Sequence, residues 1–397
     1  MFQQLRKLQP NWPGGVRPAL NPAQTLDPPA RIETLAPVLT PANATELCDA
    51  IRAHPRVLAV GARTKPRLSQ CDESVALIST RRLSGIVEYD PGEFTFTALA
   101  GTPLREIRDA LAGRGQYLPF DPPLVESDAT IGGTVAAGLS GPGRFRYGGV
   151  RDFILAVRFA DGTGQMLRGG AKVVKNAAGF DIPKFFVGSL GRFGVLVELT
   201  FKVFPNPPAW LTLRVPVASA TDAANRLAVG ASARWELDAL DYIPAEGCLL
   251  ARLGGPREAN AALAAEIAKT WPGAAVLSEQ DGNVAWSAVR EFTWAHTGGL
   301  LAKIPITLAK LNDLLSAVEK SADARTHISA AGNVAFVSLP SPIHAEALDS
   351  ELRSVGLSGL VLRGDGAPPR LGAFHEAIIG GNVRAVFDPD NHFAPLL

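Results

Sequence analysis

The chain has 397 residues, 47% of them hydrophobic and 19% charged, a globular composition long enough for one large or two ordinary domains. Lys and Arg number 39 against 38 Asp and Glu, a net charge of +1, which disfavours nucleic-acid binding by bulk charge. Cys48, Cys71 and Cys248 form no CxxC pair and are too few for a four-cysteine iron–sulfur cluster or zinc site. They suit a reducing compartment. No run of about 18 apolar residues offers a membrane span. The opening MFQQLRKLQPNWPGG lacks a signal-peptide core, so a cytoplasmic protein is expected.

Residues 1–36 are rich in Pro, Asn and Gln and read as an extension or a segment laid over the surface. Helix-start chemistry at Thr40–Leu47 predicts a helix through His54. A strand at Arg56–Val60 then runs into Gly61-Ala62-Arg63-Thr64-Lys65, a turn suited to presenting backbone N–H groups to an anion. Strands are expected at Val75–Ser79, Gly85–Tyr89 and Glu93–Ala100. An amphipathic helix is expected at Pro103–Arg114, with Pro103 at its first position. Leu118–Pro123 is an extended proline segment. Arg151–Ala160 reads as a strand turning at Asp161-Gly162. Lys172–Asp181 reads as irregular, Pro183–Val187 as a short helix, and Gly194–Phe204 as a strand ended by Pro205-Asn-Pro-Pro208.

That proline cluster is the expected domain boundary. Beyond it, strands are expected at Trp210–Val217, Ala239–Ile243, Cys248–Leu253, Leu300–Ile306 and Asn333–Leu339. Helices are expected at Thr221–Ala231, Arg257–Trp271, Leu308–Lys320 and His344–Val355. Two strand–helix–strand halves predict an α+β domain with helices on one face of an antiparallel sheet.

Function concentrates in residues 119–205. Three glycine clusters lie there: Gly132/Gly133/Gly138, Gly141/Gly143/Gly148/Gly149 and Gly188/Gly191/Gly194. Gly132-Gly133 before Thr-Val-Ala-Ala reads as a loop entering a helix, a phosphate-favouring element. With the Gly61–Lys65 turn it makes two anion-facing elements, as a dinucleotide needs. Each cluster taken singly also fits ordinary turns. No GxGxxG stands in a βαβ setting, and no P-loop signature is present.

In combination, Val60–Lys65, Leu118–Pro123, Ala129-Thr-Ile-Gly-Gly133, Arg151-Asp152, Lys175–Asp181 and Gly188-Ser-Leu-Gly191 resemble the vanillyl-alcohol-oxidase/PCMH family of FAD-linked oxidases. Within it the likeness is to the small FAD-binding (E) subunits of bacterial glycolate oxidases. It spans residues 37–208 strongly and returns at Phe387–Phe393. The resemblance implies a two-subdomain PCMH-type FAD-binding domain over 37–208. It implies a smaller α+β, ferredoxin-like substrate or cap domain over 209–375, and a segment over 376–397 returning to the FAD domain. Gly61, Ala62, Arg63, Thr64 and Lys65, with Thr130, Ile131, Gly132 and Gly133, would hold the pyrophosphate. Pro122, Pro123 and Ser127 would border the flavin. Gly138, Ser140 and Gly141 would let the chain pass the isoalloxazine, and Gly194, Val195 and Leu196 would meet the adenine or ribose end. A bulky residue at Gly132 or Gly133 is expected to abolish flavin retention without unfolding the chain.

The loop has no His or Cys, so non-covalent FAD is expected; nearby Cys71 reads as a packed thiol. Phe180 stands where the family often has Tyr, and Gly143 intervenes before Arg144. Ser329-Ala-Ala-Gly-Asn333 occupies the place of a relative's His-x-Gly-Asp-Gly-Asn motif without its His or Asp. His327 and His296 read as ordinary surface or loop histidines. His54, His344, His375 and His392 have no paired spacing, so no metal is assigned and no catalytic base is named. Arg252, Arg290, Arg363, Arg384 and Lys303 are candidates for a substrate carboxylate.

The activity implied is oxidation of a 2-hydroxy acid, glycolate to glyoxylate. Electrons would pass through the flavin to an iron–sulfur subunit, beside a larger FAD-containing catalytic subunit. Membrane contact would come only through these partners. The alternatives are a stand-alone FAD-linked oxidoreductase of another hydroxy acid or alcohol, and a non-catalytic relay or assembly subunit.

Overall fold

The computed structural model describes residues 37–171, 180–374 and 378–395. Residues 1–36, the Lys175–Gly179 part of the motif and His375 lie outside the described residues. The first lobe opens with β1 (Val38–Leu39), α1 (Ala44–Ala53), β2 (Val57–Val60) and β3 (Ala76–Ser79), a parallel sheet in the order β1-β3-β2. Asn43 caps α1 by accepting the Glu46 N–H, and Glu46 accepts the Ala42 N–H in return. Leu47, Cys48 and Ile51 bury one face against the sheet.

Next come β4 (Ile86–Asp90), β5 (Thr95–Leu99), α2 (Leu104–Ala112), β6 (Gln116–Tyr117), α3 (Ile131–Ala137), α4 (Arg144–Tyr147), β7 (Ile154–Ala160), β8 (Met166–Gly170), α5 (Ile182–Phe185), β9 (Val195–Lys202) and β10 (Phe204–Pro205). A five-stranded antiparallel sheet forms in the order β4-β5-β9-β7-β8. Two boundaries differ from expectation. Pro103 is the N-cap of α2, with extended backbone at φ −61° and ψ 138°, because the segment must first turn around Thr102. Arg151 and Asp152 sit in a 3₁₀ turn whose Asp152 carboxylate accepts the Gly149 N–H, so the strand starts at Ile154.

The second lobe comprises β11 (Ala209–Pro216), α6 (Ala220–Ser232), β12 (Ala239–Ile243), β13 (Cys248–Gly255), α7 (Arg257–Thr270), β14 (Ala275–Val276), α8 (Glu279–Glu291), β15 (Leu300–Pro305), α9 (Leu311–Glu319), β16 (Arg325–Ser329), β17 (Val334–Leu339), α10 (Ala345–Ser354), β18 (Ser358–Arg363) and β19 (Arg370–Gly372). Its nine strands run β14-β11-β13-β12-β16-β17-β15-β18-β19. This is the same βαββαβ unit twice, β11–β14 and β15–β18, joined where Tyr242 of β12 meets Ile328 of β16. Both units have the ferredoxin-like strand order, and β19 and α8 are additions.

The sheet is buried on both faces. Along β15, Leu300, Ala302 and Ile304 point to the helix layer of α6, α7, α9 and α10. Leu301 joins the core of the first lobe, and Lys303 points the same way by the two-residue period. After α11 (Ile378–Phe387) the chain returns to the first lobe. The buried Asp388 carboxylate accepts the His392 and Phe393 N–H groups at 2.7 and 2.9 Å. The Ala394 N–H donates to the Val57 carbonyl at 3.0 Å.

A buried ion cluster ties the lobes. Arg252 of β13 lies over the rings of Trp210 and Trp286 at 4.8 and 5.1 Å. It donates to Asp238 and to Asp121 of the proline segment, both at 2.6 Å. Burial opposes ionisation of Asp121, yet Arg252 and Arg290 hold its carboxyl below the usual range. Arg252 is therefore consumed internally and is not free for a substrate. Arg252→Met should lower unfolding stability by about 3–5 kcal/mol, because buried Asp238 loses its counter-charge and Asp121 keeps only Arg290, at 3.5 Å; urea denaturation measures this.

Candidate functional site

The Gly61–Lys65 loop leaves β2 and runs against Thr130. A Cβ on Gly61 would stand 2.4 Å from Thr130 Oγ1, so glycine is required by a close approach, not by a positive φ. Thr130 is the N-cap of α3, and its hydroxyl accepts the Gly133 N–H at 3.2 Å. The other first-turn amides of α3 are also taken. Ile131 N–H donates to the Thr102 carbonyl at 3.0 Å and Gly132 N–H to the Ala100 carbonyl at 2.9 Å. The expectation that the Thr130–Gly133 turn offers open amides is corrected here: β5 and Thr102 use them to seat the helix. The loop differs. Among the described residues, the N–H groups of Ala62, Arg63, Thr64 and Lys65 donate to no protein acceptor.

Lys65 sharpens this polarity. Its side chain is buried, and its ammonium donates to Thr64 Oγ1 at 3.0 Å with no ion pair among the described residues. Burial, with the Arg363 guanidinium nearby, pushes it down to about 8. Holding it protonated costs about 3 kcal/mol relative to an exposed lysine, an imbalance that a bound anion would relieve.

Two small cavities share Gly61 and Gly133 in their walls. One, of about 60 Å³, is lined by Gly61, Ala62, Arg63, Thr64 and Lys65 together with Thr130 and Gly133. The other, of about 40 Å³, is lined by Gly61, Gly132, Gly133, Gly194, Leu196 and Ser189. The Ser189 hydroxyl is buried without a hydrogen-bond partner among the described residues. A buried polar group without a partner is costly, so this wall is built for a polar occupant. Converging amides, one buried cation and an orphaned hydroxyl fit a phosphate-bearing ligand. Ser189 was not among the expected site residues, although the Gly188–Gly191 cluster signalled it.

Other expected residues lie elsewhere. The side chains of Ile131 and Val195 are fully buried in the apolar cores, because each alternates away from the cavities. Pro122 lines a separate cleft, Pro123 is buried, and the exposed Ser127 donates to Glu291 at 3.1 Å. Ser140 Oγ accepts the Val150 N–H at 2.9 Å. Gly141 is a glycine because a Cβ would meet the Asp121 carbonyl at 2.0 Å. Gly138, at φ 59° and ψ 39°, ends α3. Its carbonyl accepts from Lys303 Nζ at 2.8 Å, and burial and Arg144 push that lysine down to about 8.

His327 is neither a surface nor a loop residue. It is buried in β16 and pairs with Asp241 at 2.7 Å. The other Asp241 oxygen accepts from Ser329 Oγ and Ala330 N–H at 2.9 and 3.0 Å. This network anchors the Ser329–Asn333 turn and leaves His327 sealed from the glycine cavities.

Comparison with known proteins bears on this groove. Residues 35–170 match the FAD binding domain family. Over 156 residues the chain is 47% identical to glycolate oxidase subunit GlcE of Escherichia coli (strain K12), covering 39% of this chain and 43% of that protein. It is 32% identical over 146 residues to a D-lactate dehydrogenase of Anaerostipes hadrus, 37% of this chain and 30% of the relative. The matches thus span less than half the length of these relatives. An alkyldihydroxyacetonephosphate synthase structure shares the fold, with a TM-score of 0.64 and 15% identity over 90% of this chain and 75% of that one. Residues 35–170 therefore carry an FAD binding domain.

Proposed function

We propose that this chain is the FAD-binding subunit of a complex that oxidises a 2-hydroxy acid, glycolate to glyoxylate. The observation that carries the reading is the pair of cavities sharing Gly61 and Gly133, one lined by the loop Ala62–Lys65 with its unpaired amides and buried Lys65 ammonium, the other by the orphaned Ser189 hydroxyl. The 47% identity to a glycolate oxidase subunit over 156 residues supports the substrate class.

In this reading residues 37–208 hold the cofactor, residues 209–375 cover it, and residues 376–397 close back on the first lobe. Gly61–Lys65 hold the pyrophosphate without a covalent link, Gly133 leaves room for it to lie close, and Gly194 and Leu196 border the distal part. FAD, when bound, supplies a two-electron acceptor. The chain's own residues bind and orient it, and Lys65 balances phosphate charge. Electrons leave to an iron–sulfur subunit, and a larger FAD-containing subunit completes the complex. The chain works in the cytoplasm and reaches a membrane only through those partners. A second reading, a relay or assembly subunit without its own substrate chemistry, is favoured by one observation. The Ser329–Asn333 turn carries no acid or base, and His327 is locked on Asp241.

The visible spectrum before and after acid precipitation is the direct test. Flavin bands that move to the supernatant are expected. Bands retained in the pellet would show a covalent link, and no flavin after reconstitution would end the reading. Glycolate-dependent bleaching of the isolated holo-protein would separate a catalytic chain from a relay.

Two variants test the groove. A Cβ on Gly132 would stand 2.7 Å from the Ala100 carbonyl, whereas one on Gly133 would meet only Thr130 Oγ1, at 3.0 Å. Gly132→Val should therefore destabilise the fold by about 1–3 kcal/mol through overpacking. Gly133→Val should fold and lose flavin.

The pH dependence follows from Lys65. Protonated Lys65 attracts phosphate, and its charge is lost as pH rises through about 8. FAD affinity should fall above that pH, and the fall should vanish in Lys65→Met, measured by flavin fluorescence on release. The apo-protein should behave oppositely. The unfolded chain binds the extra proton between about 8 and the ordinary lysine range, so the contribution of Lys65 to stability rises there with pH.

A further inference from the structure

A much larger cleft lies away from the glycine groove, between α2 and the proline segment on one side and β11, β13 and α8 on the other. Its volume is about 380 Å³, and it shares no lining residue with the two groove cavities. That size falls within the range of small-molecule sites and exceeds the needs of a two-carbon acid. Its apolar part is formed by Trp210, Trp286, Leu104 and Val125.

The charges around it are unevenly spent. Arg252 is taken by Asp121 and Asp238, and Arg108 by Asp109 and Glu126. Glu291 accepts from Ser127 Oγ and the Glu126 N–H. Arg290 is different. Among the described residues its side chain makes one contact, at 3.5 Å, to an Asp121 oxygen, while the other Asp121 oxygen already holds Arg252 at 2.6 Å. Its side chain is 28% exposed. The α8 backbone there is fixed, because the Arg290 carbonyl accepts the Leu124 N–H at 3.0 Å. The cleft thus offers an aromatic and aliphatic wall beside one positioned arginine with donors to spare.

We propose that this cleft is a second binding site, for a small organic carboxylate with an aromatic or apolar body. The carboxylate pairs with Arg290, whose planar fork suits it, and the body lies against Trp210 and the α2 side chains. Trp210 and Trp286 line the site and report occupancy by their fluorescence.

The test titrates the holo-protein with 4-phenylbutyrate and, separately, with its neutral amide. Saturable tryptophan quenching by the acid is expected, with the amide at least about tenfold weaker, as loss of a charge-assisted bond implies. Arg290→Gln should weaken the acid to the level of the amide and leave flavin content unchanged. Ser287→Trp, which puts bulk on the cleft's lining, should abolish binding of both probes. The proposal is overturned by no saturation up to roughly 10 mM, by equal affinity of acid and amide, or by undiminished binding in Ser287→Trp. The acid–amide contrast needs no variant, so a poorly folding Arg290→Gln would not shield the proposal.

Discussion

The first lobe is organised by two places where backbone lies directly on its neighbour. Gly61 reaches Thr130, and Gly132 reaches Ala100, at separations no Cβ would permit. These approaches bring the loop after β2, the start of α3 and the end of β5 into one corner. The amides of α3 are spent holding that corner together. The amides of the loop are left over among the described residues, and the proposed anion site rests on that division. Lys65 adds charge where water is scarce, so its ammonium is both poorly solvated and strongly attracting.

The second lobe depends on a sheet buried on both faces. One face carries the helices that two βαββαβ units bring with them, and the other packs on the first lobe. A sheet in that position can place polar groups between the lobes only if each is answered. Arg252 is answered by Asp121 and Asp238, and by the faces of two tryptophans. Lys303 is answered by a single carbonyl, that of Gly138 at the end of α3. The helix that begins at the glycine groove therefore ends on a cation supplied by the opposite lobe.

Much of the fold was readable from local pattern. The α1 cap at Asn43, the Asp161-Gly162 turn and the proline break before β11 follow from turn chemistry and fixed proline geometry. Helices α6, α7, α9 and α10 follow from periodicity, whereas α8 escaped, its Gly282 and Asn283 being weak helix formers. Strands β14, β16, β18 and β19 escaped too, since short segments such as Arg325–Ser329 carry a charge and a histidine that read as exposed. They are strands because neighbouring strands supply their hydrogen bonds, and His327 is buried because Asp241, on another strand, receives it.

The sequence by itself determined the family motifs, the absence of His or Cys in the Gly61–Lys65 loop and the small side chains of the glycine groove, because these are properties of residue type and spacing. Only the tertiary structure decided which of those residues meet. It turned Ile131 and Val195 into core and committed Arg252 to an internal ion cluster, and among the described residues it left Ser189 without a partner and Arg290 with donors to spare. The reason is physical: burial, pairing and close approach are fixed by segments far apart in the chain.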